Sequence, residues 1–328
     1  MNSSFITKLT NIFHPERFQG WDKQFQYFEG WYFKLVNQSG TEAIAVIPGI
    51  AMDEQGNKQA FIQILDGKRK TAQYHKFPFE SFTASKNAFE ISIGENHFSS
   101  HLMQLNIENI QGCLRFNGNI TWPKYLLSPG IMGPYSFVPY MECYHGIVSM
   151  NHQIEGSLML NGNSINFSNG KGYLEKDWGK SFPSSYIWLQ SNHFLEEAVS
   201  LKCSVAKIPW LRSSFVGFIA GLWWKNKFIR FTTYNRSKLV KAFANLEYVE
   251  IEMENPKYHL EIIAVRDAPT ALASPILGLM DGRIEETMNA TIHIKLSERR
   301  SGKILYMDKG KHGGLEVAGN VEELLTGS

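Results

Sequence analysis

This sequence has little cysteine, almost no net charge, no long apolar run and no helical period. Its three cysteines, Cys113, Cys143 and Cys203, are unclustered and odd in number. They make neither a disulfide framework nor a zinc motif, and they suit a reducing compartment. The formal net charge is +2 over 328 residues. A nucleic-acid binder would carry a basic footprint, so no nucleic-acid partner is expected. The longest apolar run, Phe215 to Trp224, is about half of what a membrane-spanning helix needs, and Gly217 and Gly221 interrupt it. It reads as a buried strand. Met1 to Lys8 lacks the charged start and apolar core of a signal peptide, so a cytoplasmic setting is expected.

Several catalytic signatures are also missing. Gly179-Lys180-Ser181 ends like a phosphate loop, but Leu174 stands where that loop needs its first glycine. There is no dinucleotide glycine fingerprint and no nucleophile elbow. The ten histidines never form a tight ligand pair. Glu142 and His145 could ligate from one loop, but no metal and no cofactor are expected.

What the chain does have is aromatic residues, at 13% of the total, and strand-length pieces. Well over a dozen such pieces recur at roughly 8–12-residue spacing, the pattern of sandwiches and barrels. Val249, Ile251 and Met253 alternate with Glu250, Glu252 and Glu254, which predicts a half-buried strand with an acidic outer face. Ile154–Leu160, the turn Asn161-Gly162-Asn163 and Ser164–Phe167 predict a hairpin. Gly30 beside Trp31 suggests a bulge or a close backbone approach. Residues 1–26 read as irregular, Trp122 to Pro139 as a long proline- and glycine-rich binding loop, and Asn320–Leu325 as a short turn. The expected fold class is all-β, with two antiparallel barrels or sandwiches in tandem. The expected domains are 1–168 and 169–328.

The chemistry concentrates in Gly172 to Pro183, which holds Tyr173, Glu175, Lys176, Asp177 and Trp178. A turn needs glycine and proline, but it does not need two acids beside two aromatics. An acid desolvated against aromatic surface keeps its proton and can donate it. Two other stretches share this character. Tyr27-Phe28-Glu29-Gly30-Trp31-Tyr32-Phe33 sets one acid among five rings, and Glu142-Cys143-Tyr144-His145 places an acid, a phenol and an imidazole together. The plain alternatives are that Glu29 is a buried structural acid, that Trp31 and Trp178 are core, and that His145 is a hydrogen-bonded core histidine.

Phe28 to Phe33 resembles the opening Phe-Glu-Gly-Trp-Tyr-Phe motif of the tocopherol cyclase family. Tyr173-Leu174-Glu175-Lys176-Asp177-Trp178-Gly179, then Phe182-Pro183, then Trp188, Gln190, Asn192 and Phe194, resembles that family's central motif. Leu315-Glu316-Val317-Ala318-Gly319 resembles its closing motif. Similarity is looser to carotenoid hydratases and related two-barrel enzymes. Both families carry Asn where this chain has Asp177, which favours Glu175 over Asp177 as the proton donor.

The resemblance implies two lipocalin-like barrels and acid chemistry on a prenyl alkene, without a cofactor. An acid protonates the double bond, and a neighbouring phenol oxygen closes a chromanol ring. Alkenes are weak bases, so the donor must sit in an apolar setting, and the cation needs aromatic faces and excluded water. On this reading Glu175, Glu29, Asp177 and His145 are the catalytic candidates. Trp31, Tyr32, Tyr144, Glu142, Tyr173, Trp178, Trp188, Gln190 and Asn192 are the substrate-binding candidates. The expected partner is a hydrophobic prenylated small molecule. No plastid-type leader is evident, and peripheral membrane contact is expected around Trp210 to Trp224. The alternatives are a non-catalytic lipocalin-like carrier and a hydratase of an isoprenoid alkene.

Overall fold

A computed structural model gives the fold, and it describes residues 10–324. Parts of the irregular start expected over 1–26, and Leu325 of the expected C-terminal turn, lie outside the described residues. The described part of that turn is a 3₁₀ turn at Val321–Leu324.

Two antiparallel sheets account for almost all regular structure. The first holds β1 (Tyr27–Val36), β2 (Ala43–Met52), β3 (Lys58–Asp66), β4 (Thr71–Pro78), β5 (Phe82–Ala84), β6 (Glu90–Ile93), β7 (Asn96–Ser99), β8 (Leu102–Ile107), β9 (Ile110–Asn117), β10 (Cys143–Leu160), β11 (Asn163–Asn166) and β12 (Gly170–Gly179). The second holds β13 (Tyr186–Ser191), β14 (Ser200–Trp210), β15 (Ser213–Trp224), β16 (Lys227–Thr232), β17 (Lys238–Ala244), β18 (Tyr248–Glu254), β19 (Tyr258–Val265), β20 (Thr270–Ile276), β21 (Leu279–Glu298) and β22 (Ile304–Ala318). The expected all-β class with two lipocalin-like antiparallel units holds.

Both sheets are ordered in the same way. Neighbouring strands follow one another as hairpins, and the last strand is inserted beside the first. β12 lies between β1 and β10, and β22 lies between β13 and β21. The expected hairpin at 154–167 is β10 with β11. The alternating glutamates of β18 are half-buried, opposite buried Val249, Ile251 and Met253.

The described residues divide into two compact units, 10–182 with 273–282, and 183–272 with 283–324. This moves the boundary expected at 168/169 to after Phe182. The reason is β12, whose register with β1 and β10 ties residues 170–179 to the first sheet. Residues 273–282 also join the first unit. Ala273 donates to the Gln63 amide oxygen at 2.9 Å and accepts from its nitrogen at 3.3 Å. Gly278 N donates to Lys180 O at 2.8 Å.

Each unit has its own apolar core. In the first, Trp31, Phe33, Leu35, Phe98, Phe116 and Leu174 pack together. In the second, Ile187, Leu189, Val205, Leu222, Ile251 and Ile292 do so. The bulge expected at Gly30 is absent, because β1 keeps one register with β2 and with β12. The close approach falls on its cross-strand partner instead. A Cβ at Gly49 would stand 2.6 Å from the Glu29 carbonyl oxygen. The register shifts of β10 against β12 lie between Ile147 and Ser149 and between Ser149 and His152.

Candidate active site

Strand geometry sorts the central motif into two faces, because successive side chains point to opposite sides. On β12, Leu174, Lys176 and Trp178 share one face, while Tyr173, Glu175 and Asp177 share the other. Cross-strand register extends both sets. Trp31 stands opposite Lys176, Glu29 opposite Trp178, and Tyr32 opposite Glu175. His145 stands opposite Asp177, and Tyr144 opposite Trp178. The two acids that the sequence offers as proton donors, Glu29 and Glu175, therefore lie on opposite faces of one sheet.

The face of Glu29 is the core face. Glu29 is fully buried. It accepts from Gln19 N at 2.8 and 3.1 Å, from Tyr27 Oη at 2.6 Å, and from Lys176 Nζ at 2.5 Å. Lys176 also donates to the carbonyls of Pro15, at 2.9 Å, and Arg17. Its ammonium lies 5.0 Å from the Trp31 ring centroid and 4.4 Å from that of Trp178. Burial pulls the Lys176 ammonium below its usual range, against the opposing pull of Glu29. A carboxyl group held by three donors has its oxygens engaged, which gives Glu29 a structural role. Trp31 and Trp178 form an aromatic cage, but its occupant is Lys176. Tyr144 stacks on Trp178 at 5.5 Å and donates to Val138 O at 2.7 Å. None of these three rings shares the sheet face of Glu175.

The other face carries a second polar cluster. Tyr32, Tyr173 and Glu175 are buried there, outside the apolar core cluster. Tyr173 Oη donates to Glu175 Oε2. Burial first, and the Glu175 carboxyl second, push the Tyr173 phenol well above the ordinary tyrosine range, so it stays a donor. His145 Nδ1 bonds Asp177 Oδ1 at 2.6 Å. Its other nitrogen, Nε2, is buried, makes no hydrogen bond, and lies 3.6 Å from Glu175 Oε2. The result is a chain of groups, Asp177–His145–Glu175–Tyr173, in which Asp177 orients the imidazole and Nε2 faces the acid.

His145, Glu175 and Asp177 each offer a ligand atom, all within 4.8 Å of one another. Asp177 Oδ1 and His145 Nδ1 bond each other, which leaves Nε2, Glu175 and Asp177 Oδ2 as the ligand atoms on offer. Closed metal sites take about four ligands. Glu142, which the sequence pairs with His145, is not a member of that three-residue group among the described residues. Burial raises the Glu142 carboxyl, its Oε2 is buried without a hydrogen bond, and its carbonyl accepts from Lys180 N at 2.8 Å.

Trp188, Gln190 and Asn192 belong to the second unit. All three are buried, Trp188 and Gln190 on the side of β13 opposite Ile187 and Leu189 and Asn192 just past the strand's end. Register places Gln190 beside Lys202 and Trp188 beside Glu316. Lys202 is fully buried and bonds Ser204 Oγ, and Tyr186 Oη donates to Glu316 Oε2 at 2.8 Å. Sequence reasoning missed Lys176 and Lys202. The signal for Lys176 is its alternation with Leu174 and Trp178, which sets it on the apolar face.

A family model described as tocopherol cyclase-like matches residues 106–319. That span holds His145, Glu175, Asp177 and the closing motif, and omits the opening one. A protein of Oryza sativa subsp. japonica described as "Probable tocopherol cyclase, chloroplastic" is 25% identical over 192 residues, which is 55% of this chain and 40% of that relative. The chain thus spans less than half the length of the curated relative it matches. Among solved structures, CghA with Sch210972 is similar at TM-score 0.56 and 10% identity, covering 89% of this chain and 88% of that one. CghA alone is similar at TM-score 0.53, with the same identity and coverage. Identity at that level shows a shared fold only.

Proposed function

The chain belongs to the tocopherol cyclase-like family, and from that premise we propose that it closes a chromanol ring on a prenylated hydroquinone by acid catalysis. Glu175 gives its proton to the trisubstituted alkene, which leaves a tertiary cation. The adjacent phenol oxygen attacks that cation, a C–O bond forms, and the phenol loses its proton. His145 Nε2, oriented by Asp177, takes that proton. Its position 3.6 Å from Glu175 Oε2 lets the proton return to the acid. The protons balance within one cluster, as an isomerisation requires. Tyr173 holds the Glu175 carboxyl in place, and Tyr32, directly across the strands from Glu175, offers a ring face to the cation.

The observation that carries this reading is the Glu175–His145–Asp177 relay, in which Glu175 is buried, His145 and Asp177 are half-buried, and an imidazole nitrogen free of hydrogen bonds lies beside the acid. A carrier needs no proton circuit, and a buried acid is costly to maintain. The test is turnover of a prenylated hydroquinone by the wild type and by Glu175→Gln and Asp177→Ala variants. Chromanol is followed by mass spectrometry, and binding by tryptophan quenching. Glu175→Gln is expected to bind and not turn over. Asp177→Ala, which leaves His145 Nδ1 without its acceptor, is expected to lose about a hundredfold in turnover with binding retained. Binding without product in the wild type would favour the carrier, and an alcohol product would favour the hydratase.

A further inference from the structure

The loop between β9 and β10 is unusual in what it displays. From Trp122 to Met141 it contains no aspartate or glutamate, a single lysine, and four prolines at 123, 129, 134 and 139. Inside this loop, Tyr125 and Ser128 exchange backbone hydrogen bonds of 2.9 and 3.0 Å and close a two-residue turn. The two residues of that turn are Leu126 and Leu127, which are 79% and 75% exposed. Tyr140 is 91% exposed, and its backbone is in the left-handed region at φ 63°. That conformation disfavours any residue with a Cβ, and an aromatic one especially. The ring gains no burial in return.

This loop is built, not loose. Trp122, Ile131 and Met141 are buried beneath it. Lys124 donates to Phe13 O and to Glu16, both at 3.0 Å, and so fixes one arm of the turn. A held loop that points two leucines and a strained tyrosine outward, with no carboxylate of its own and the neighbouring Glu16 paired with Lys124, has the chemistry of a lipid interface. Leucine side chains enter the acyl boundary, and tyrosine suits the headgroup level. The prolines also remove backbone N–H donors that would need partners in that medium.

We propose that the loop Trp122–Met141 docks on a phospholipid bilayer. The proposal rests in part on the reading above, since a prenylated substrate dissolves in a bilayer. The loop runs directly into β10, which carries His145, so docking sets the reactive strand next to the lipid-borne pool.

The experiment is co-sedimentation of the full chain with phosphatidylcholine vesicles, alone and with phosphatidylglycerol. The variants are Leu126→Ser/Leu127→Ser together, and Tyr140→Asn. Asparagine accepts the left-handed backbone, so that variant keeps the fold. The control is Leu211→Ser, which removes a leucine 96% exposed on the β14–β15 turn, within the Trp210–Trp224 region. The wild type and the control are expected to bind both vesicle types. The loop variants are expected to lose at least about tenfold in partitioning at unchanged melting temperature. Turnover of substrate in detergent micelles is expected to survive in the loop variants and to fall with substrate in vesicles. Failure of the wild type to bind vesicles, or binding by the double variant at wild-type strength, overturns the proposal. So does loss of binding in the Leu211→Ser control alone, which would move the contact to the second unit. A wild-type dimer that the loop variants convert to monomer, without vesicle binding, also overturns it and assigns the patch to a second copy. Vesicle binding lost in the variants, with no turnover in either medium, leaves docking standing and sinks the reaction assignment.

Discussion

Lys176→Met separates a structural role for Glu29 from a catalytic one. The change keeps the side-chain length and its contact with Trp31 and Trp178 but removes the ammonium. Glu29 then keeps Tyr27 and Gln19 and loses the Lys176 ammonium. Removing one partner of a buried pair costs about 3–5 kcal/mol, because the other charge stays buried. The surviving donors on Glu29 set the expectation at the low end, about 3 kcal/mol. For a unit of this size, that is a fall of roughly 6–12 °C in melting temperature. Glu29→Leu combined with Lys176→Met should recover most of the loss, since an apolar pair of similar volume replaces a buried ion pair at little cost. The assay is urea unfolding followed by tryptophan fluorescence, with Trp31 and Trp178 as reporters next to the substitution. Turnover is measured in parallel, well below the transition. The reasoning fails if Lys176→Met unfolds at wild-type urea. It also fails if Glu29→Gln keeps full stability and loses turnover, which would return Glu29 to the list of acids.

Two further outcomes follow from His152. It is buried in the first unit, its Nδ1 lies 3.0 Å from Ser149 Oγ, and burial pushes its imidazole down to about 3. A neutral imidazole in the fold that titrates near 6.5 when unfolded adds stability that is full above about pH 6.5. That stability is lost as the pH falls toward 3, at about 1.4 kcal/mol per unit, so unfolding at pH 5 should cost about 2 kcal/mol less than at pH 7 from this group. His152→Gln should flatten that slope in pH-dependent urea titrations, and an unchanged slope would refute the assignment. The second outcome concerns Gly172, where a Cβ would fall 2.0 Å from His152 Nε2. Gly172→Ala should destabilise by about 1–3 kcal/mol. His152→Ala should absorb most of that cost, and a double-mutant cycle with no coupling would contradict the contact.

Much of the fold was legible because strands and turns are local. The alternation in β18, the hairpin of β10 with β11, and the turn glycines all state a period of two or a break in it. The site was legible only in part. Its residue types were visible in the motifs, and the resemblance pointed to Glu175. The grouping of Trp31 and Trp178 with Glu175 was wrong in geometry. β1 and β12 are buried on both faces, so hydrophobicity does not alternate along them and does not announce which residues point the same way. Counting by two from Trp178 would have set it with Lys176 and apart from Glu175.

The sequence alone determined the all-β class, the turn positions, the absence of helical and nucleotide-binding patterns, and the family motifs. These follow from propensity and spacing along the chain. Only the tertiary structure decided that β12 is inserted between β1 and β10. That one insertion brings His145 to Asp177 across 32 residues and Lys176 to Glu29 and Pro15 across still longer separations. It also places the two glutamates on opposite faces. Register between distant strands is set by how whole faces fit against one another, and no local stretch of sequence carries that information.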